Sequence, residues 1–301
     1  MVTSLAQFQL TPQQVEPIIK TARNYSAIMQ LGKQIPINVM GAKIPVLNGQ
    51  TTATIVGENQ VKPKYDPQIG FQFVQRSKFA LISVLSMEAA REDPFGLVNL
   101  VKDEMGGAFA RAIDVMGIYG GVSGQGYINQ TSTSVELGSA AQNAGGTYRD
   151  IVSGLALQAG KNPPRQTTGY LWDQKAEPTL LASVDLQGRP LWVDAWTGEN
   201  AAFHGTPGRM LGRPAYQVPQ IAQGADMGWA GDWSKVVWGV YKAPNFRVVT
   251  DTAYTDSTGK LVSTTELNQI LVIGEFEGTA ACTDPDAFVR FTDATAPVVT
   301  S

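Results

Sequence analysis

Residues 86–121 read SMEAAREDPFGLVNLVKDEMGGAFARAIDVMGIYGG. After Asp93 and Pro94, apolar residues fall at Val98, Val101, Met105, Phe109, Ala112, Met116 and Tyr119, in steps of three and four. That is the period of an amphipathic helix. Asp93 supplies an N-cap, and Pro94 takes the first helical position, where a missing N–H costs nothing. Gly120-Gly121 supplies a stop. The predicted helix is roughly 40 Å long, long for an ordinary domain, and it needs a sheet laid along it. Gly106-Gly107 in mid-helix weakens it by about 1 kcal/mol per glycine relative to alanine. Either something packs closely there or the helix bends there.

Working outward, long strands flank this helix on both sides. Before it, Ile35 to Val56 is rich in β-branched residues and threonine, and a Gly/Pro-rich tip follows from Gly57 to Pro67. A return strand runs from Ile69 to Val84, with Ile69, Phe71, Phe73, Phe79 and Leu81 at odd positions and Leu85 continuing the series just beyond it, broken by Gln75 and Ser77. Fifteen extended residues span about 50 Å. Such a hairpin either projects as an arm, whose aromatic face then needs cover from another molecule, or bends into a barrel. Residues 1–33 are polar and mixed. Thr11-Pro12 could open a short helix with Val15, Ile18 and Ile19 on one face, but a loose arm fits equally well.

After the helix, GGVSGQGYIN (120–129) fails both the P-loop and the GxSxG pattern, so it reads as a structural loop. GSAAQNAGGT (138–147) reads as a linker. Residues 148–245 read as an inserted α/β region: a helix from Tyr148 to Ala159, a buried strand at Gly169–Trp172, a helix from Glu177 to Ser183, and strands at 211–219 and 236–241. Trp192 and Trp196 are most simply core, with sugar stacking the lesser reading. Phe246–Thr250, Glu266–Gly278 and Ala287–Phe291 return to strand and offer a sheet for the long helix.

Composition bounds the chemistry. The chain has 301 residues, 43% hydrophobic and 16% charged, with a formal net charge of -3. A sizeable core is expected, and a basic nucleic-acid-reading surface is not. Cys282 is the only cysteine and His204 the only histidine. Those counts rule out an intrachain disulfide, a Cys–His nucleophile pair and HExxH chemistry, and most zinc sites with them. No basic-then-apolar leader and no window of 18 apolar residues is present, so neither a signal peptide nor a membrane span is expected.

Six motifs in order carry a resemblance. They are Ile55-Val56-Gly57-Glu58 with Val61-Lys62-Pro63 and Asp66; Ile82 to Glu88; Asp114 through Gly120-Gly121 to Gly124 and Gly126; the Gly-Arg-Pro turns at Gly188-Arg189-Pro190 and Gly212-Arg213-Pro214; Gly231-Asp232-Trp233-Ser234; and Asp284-Pro285-Asp286-Ala287-Phe288-Val289. Together they resemble the major capsid protein of tailed bacteriophages, the Hong Kong 97-like fold. The resemblance implies an α+β chain. It has an N-terminal arm (1–37), an extended β-hairpin loop (38–82), a peripheral domain with a spine helix packed on an antiparallel sheet (83–147), an inserted α/β axial domain (148–245), and closing peripheral strands (246–301). It further implies self-assembly into hexamers and pentamers of an icosahedral head that encloses double-stranded DNA without sequence-specific binding. A separate scaffold protein, a portal protein and a decoration protein are the partners it suggests, with no cofactor, metal or membrane.

Some members of that family cross-link their subunits, joining a loop lysine before a proline to an asparagine seven residues before a glutamate. Lys62 precedes Pro63, and Asn268 lies seven residues before Glu275. An amide carbon is a poor electrophile, so the amine must first lose its proton, and a desolvated glutamate can take it. Lys64 is a second candidate. The rival readings are a bacterial encapsulin shell of the same fold and an enzyme with an exposed β-arm. Against the enzyme, Glu275 and Glu277 share one face of a strand, where a solvated or interface pair is the simpler account.

Overall fold

A computed structural model describes residues 26–48, 53–62, 64, 66, 68–92, 96–141, 145–182, 192–194, 206–256 and 258–293. The first described segment is a short helix, Ala27–Leu31, followed by β1 (Lys33–Gln34). β2 (Ala42–Asn48) and β3 (Gln68–Val74) form a separate two-stranded antiparallel ribbon. β4 (Ser77–Ser86) leads through a one-turn helix, Met87–Arg91, to the long helix, Leu97–Tyr119. Then come β5 (Ser134–Leu137), the helix Gly146–Ala159, β6 (Gly169–Asp173), the helix Glu177–Leu181 and β7 (Trp192–Asp194). β8 (Thr206–Met210), β9 (Arg213–Val218), β10 (Asp226–Gly231) and β11 (Val236–Val249) follow. β12 (Ala253–Thr255), β13 (Leu261–Ser263), β14 (Gln269–Cys282) and β15 (Phe288–Asp293) close the chain.

The long helix has 23 residues and is capped by Gly96 in the left-handed region. It therefore starts three residues after the expected Pro94, and Asp93 is not its N-cap; Asp93 and Pro94 lie outside the described residues. Its buried residues all come from Met105 onward, and Leu100 is 65% exposed. The apolar spacing before Met105 thus marks two half-covered opening turns rather than core.

The sheet along this helix has the order β1-β11-β14-β4. β14 runs antiparallel to both β11 and β4, with Ile273 opposite Arg247 and Ile82. Phe79 and Phe276 stack with ring centres 5.9 Å apart, and Phe109 of the helix lies 5.8 Å from Phe276 and 6.3 Å from Phe246. Each buried ring contributes on the order of 2–3 kcal/mol. The helix-facing side is thus a phenylalanine cluster.

Two sequence expectations change here. Residues 236–241 and 246–250 are one continuous strand, β11, paired with β14 throughout; the register shifts between Val240 and Asn245 absorb Pro244. The last strand does not lie beside the long helix. β15 joins a seven-stranded sheet of order β5-β15-β10-β6-β9-β8-β7. There Trp172 meets Phe291 at 5.0 Å between ring centres, and Ile151 from the helix Gly146–Ala159 packs in the same cluster. Both faces of β6 and β10 are buried, and β15 beside β10 contributes the buried Phe288, Val289 and Phe291 to this sheet.

Other expectations hold with small shifts: the helix from Tyr148 begins at Gly146, and the helix from Glu177 ends at Leu181. Residues 11–19, Trp196 and the side chain of Trp192 fall outside what is described.

Candidate functional site

The return strand expected over Ile69–Val84 is broken at Gln75-Arg76. Beyond the break, Phe79 and Leu81 turn inward against the long helix. Before it, the same odd-numbered stripe faces solvent: Ile69, Phe71 and Phe73 are 55%, 61% and 47% exposed. Across the ribbon, Pro45 pairs with Phe71 and Lys43 with Phe73. The Lys43 ammonium sits 4.3 Å from the Phe71 ring centre, a cation–π contact that leaves the stripe open. At about 3.3 Å per residue the seven-residue strands span roughly 23 Å, so the paired part is half the length the sequence suggested.

The ribbon is held at its base. Val74 is fully buried with Val237 and Ala281, and Ile35 and Ile44 pack beside them. Gln72 donates to the Cys282 carbonyl at 3.1 Å, and the Gly126 carbonyl accepts from the Cys282 N–H at 2.8 Å. A Cβ on Gly126 would run into that Cys282 carbonyl, which is why the loop needs glycine there. The neighbouring Gln125, 5% exposed, accepts from the Gln75 N–H at 3.3 Å and donates to Thr279 Oγ1 at 3.0 Å and the Ala280 carbonyl at 2.8 Å.

The outer face of the four-stranded sheet carries a charge ladder. Arg76 pairs with Glu277 and Lys78 with Glu275, each at 2.8 Å. The Lys78 hydrogen bond, with its charge and those of Arg247 and Lys242, holds the Glu275 carboxyl below its usual range. Asn268 sits just before β14 at φ 49, and its carbonyl accepts from the Met87 N–H at 2.8 Å. Asn268 and Glu275 are therefore roughly 20 Å apart along the strand. Lys62 is exposed on the loop beyond the ribbon. One chain does not gather these three groups into one site.

The phage capsid family model matches residues 7–293. The chain is 32% identical over 299 residues to the "probable major capsid protein gp17" of Mycobacterium phage L5, covering 96% of this chain and 91% of that protein. It is 31% identical over 292 residues to the protein of the same name from Mycobacterium phage D29. Among solved structures, a chain of Gordonia phage Cozz aligns with a TM-score of 0.66 at 23% identity, over 90% of this chain and 87% of that one. The capsid of a native GTA particle aligns at a TM-score of 0.59 and 17% identity, over 91% of each.

The chain belongs to the phage capsid family.

As a capsid protein it is a structural component of the virion, and its uncovered apolar ribbon makes sense on a subunit built to meet copies of itself. Three buried carboxylates hold this capsid subunit's joints; of them only Asp114 stood in a sequence motif, and there without a role. Asp114 on the long helix accepts from Ser26 Oγ at 2.6 Å and from the Ala27 and Ile28 N–H groups at 3.1 and 3.0 Å, so it caps the first described helix. Its complete burial pushes its pKa up to about 7, against the pull of those three donors. Asp226 accepts from Tyr119 Oη at 2.8 Å, tying the end of the long helix to the seven-stranded sheet. Asp150 accepts from Gly138, Ser139 and Ala140 and fastens the linker. Their signal was present for Asp114 alone: it falls between the small residues Ala110 and Gly117, on the side of the helix that meets another segment.

Proposed function

We propose that this subunit builds the shell through its ribbon, laying the Ile69-Phe71-Phe73 stripe on a neighbouring copy within hexamers and pentamers. The exposed stripe carries this reading. Three large apolar side chains in a row on a projecting two-stranded ribbon are an aggregation hazard unless a partner covers them. In the same reading the seven-stranded sheet lies toward the capsomer axis, and the long helix with its four-stranded sheet lies at the periphery. The shell encloses DNA without reading it, in keeping with the net charge of -3. Scaffold, portal and decoration proteins are further partners the family resemblance suggests. Negative-stain electron microscopy of the purified protein tests the reading: closed shells or rings are expected, and uniform small globules under every salt condition overturn it.

The cross-link belongs to the same proposal. Lys62 of one subunit reaches Asn268 of another, and the Glu275 that accepts the proton comes from a copy other than the one that supplies Asn268, because the two lie roughly 20 Å apart within one chain. The lysine amine attacks the side-chain amide carbon, an isopeptide bond forms, and ammonia leaves with the transferred proton. The Lys78–Glu275 ion pair sets a condition: Glu275 accepts a proton readily only once Lys78 is displaced or neutralised. Denaturing gels of assembled particles read the outcome. Lys62→Ala is expected to abolish a covalent ladder, and Lys78→Met to speed its appearance. A ladder that persists in Lys62→Ala overturns the assignment.

A further inference from the structure

The ribbon and β4 belong to one run of alternating residues, yet they diverge. Something must decide the direction in which β3 departs, because Gln75-Arg76 has no strand partner on either side. A two-residue break outside both ladders lacks their hydrogen bonds, so its direction depends on the neighbours that hold it. Arg76 pairs with Glu277 of β14 on the exposed face, and on the buried side the holder is the glycine loop after the long helix. Gln125 reaches from it to the Gln75 backbone on one side and to Thr279 and Ala280 of β14 on the other. Every hydrogen-bonding group of its amide used in these contacts is buried, where one lost bond leaves another group unsatisfied. The Gln72–Cys282 bond and buried Val74 fix the ribbon's roll, but both lie on β3 itself, before the break.

We propose that Gln125 is the positioning residue that sets the angle between the ribbon and the four-stranded sheet, and through it the curvature of the assembled shell. The proposal rests on the reading that the ribbon covers a neighbouring subunit. If each subunit touches the next through an arm leaving at a set angle, that angle enters every contact in the shell. A small spread in it accumulates over the shell and appears as a spread in particle diameter.

The test uses the full chain, with Gln125→Met, which keeps the length of the side chain and deletes its amide. Three quantities are read: the diameter distribution of assembled particles by electron microscopy, amide hydrogen exchange at residues 69–77 in subunits and shells, and denaturant unfolding of the unassembled subunit. In the variant, exchange at Gln75 is expected to rise about tenfold while the long-helix amides from Met105 to Tyr119 keep their protection. Particles are expected to lose a single diameter, or to stop at open sheets. Should Gln125→Met fail to fold, Thr279→Val removes one of the three bonds and is expected to broaden the diameters with a smaller exchange change. Variant shells of one wild-type diameter overturn the proposal while leaving the ribbon reading intact. Wild-type shells in which residues 69–73 exchange as fast as in free subunits overturn the ribbon reading and this proposal with it.

Discussion

Asp114 is a fully buried carboxylate that joins the long helix to the first described helix. Its folded pKa, raised to about 7 by burial, lies above the ordinary carboxylate value of 3.8. The folded state thus binds its proton more tightly than the unfolded chain does. Its contribution to stability is complete below about pH 4 and falls away as pH rises through 7. Unfolding midpoints of the free subunit should therefore decline from pH 5 to pH 8. Asp114→Asn should flatten that profile while costing about 1–3 kcal/mol at pH 5, because its amide presents a donor to groups that also donate. A wild-type profile already flat over that range sinks the account. The helix glycines make a second contrast. A Cβ on Gly117 would run into Ile28 of the first described helix, whereas one on Gly106 meets nothing within 4 Å. Gly117→Ala should destabilise by about 1–3 kcal/mol, and Gly106→Ala should stabilise by up to about 1 kcal/mol. Thermal unfolding of the two variants decides whether close packing sits where the structure has it, at Gly117, rather than at the Gly106-Gly107 pair that the sequence singled out.

At the scale of the element, the run Ile69–Leu85 shows how one pattern serves two ends. Phe79 is half-covered by the helix and stacks on Phe276, while Phe71 stands in solvent. Phe79→Ala should lower the stability of the free subunit by about 3 kcal/mol. Phe71→Ala with Phe73→Ala should leave it within about 1 kcal/mol of wild type yet abolish shells. Denaturant unfolding and microscopy on the same preparations separate the two effects; equal destabilisation by both would mean the ribbon stripe is interior rather than interface. Alternation alone could not divide the run, because period two reports only that a face is apolar, not what covers it. Gln75 and Ser77 interrupt the apolar series in the sequence, but with no proline or glycine there the interruption did not show that the strand ends and restarts. The hydrogen bonds that make the break come from residues 50 and more positions away.

For the whole molecule, the two sheets share one apolar core, in which Leu171, Trp229 and Phe288 pack in the same cluster as Trp238, Phe276 and Ala280, and polar ties toward the C-terminal end of the long helix add to it. Tyr119 donates to Asp226 and accepts from the Gln223 N–H at 2.7 Å, and Trp229 packs edge-on against the Tyr119 ring at 5.9 Å. Asp114 holds the segment that continues into β1, which pairs in parallel with β11. The long helix is thus the common beam of both layers. Tyr119→Phe is expected to keep the shared apolar core and loosen the polar tie at the end of the long helix. Hydrogen exchange should then rise around Gln223 and Asp226 before it rises in β14. A uniform rise across both sheets would show that the tie is not a local joint.

The period of the long helix, the strands that flank it, the poverty of catalytic side chains and, through six ordered motifs, the family are legible in the chain alone. These are local or compositional properties: side-chain period follows from backbone geometry, and histidine and cysteine counts need no structure. Only the tertiary structure decided that β15 leaves the long helix for the other sheet and that β11 is one strand through Pro244. It alone showed which half of the aromatic stripe is core, and that Asp114 and Gln125 are buried joints. Each of those depends on which distant residue supplies the missing hydrogen bond or the covering ring. Contacts between residues 50 to 210 positions apart leave no periodic mark in the chain that makes them.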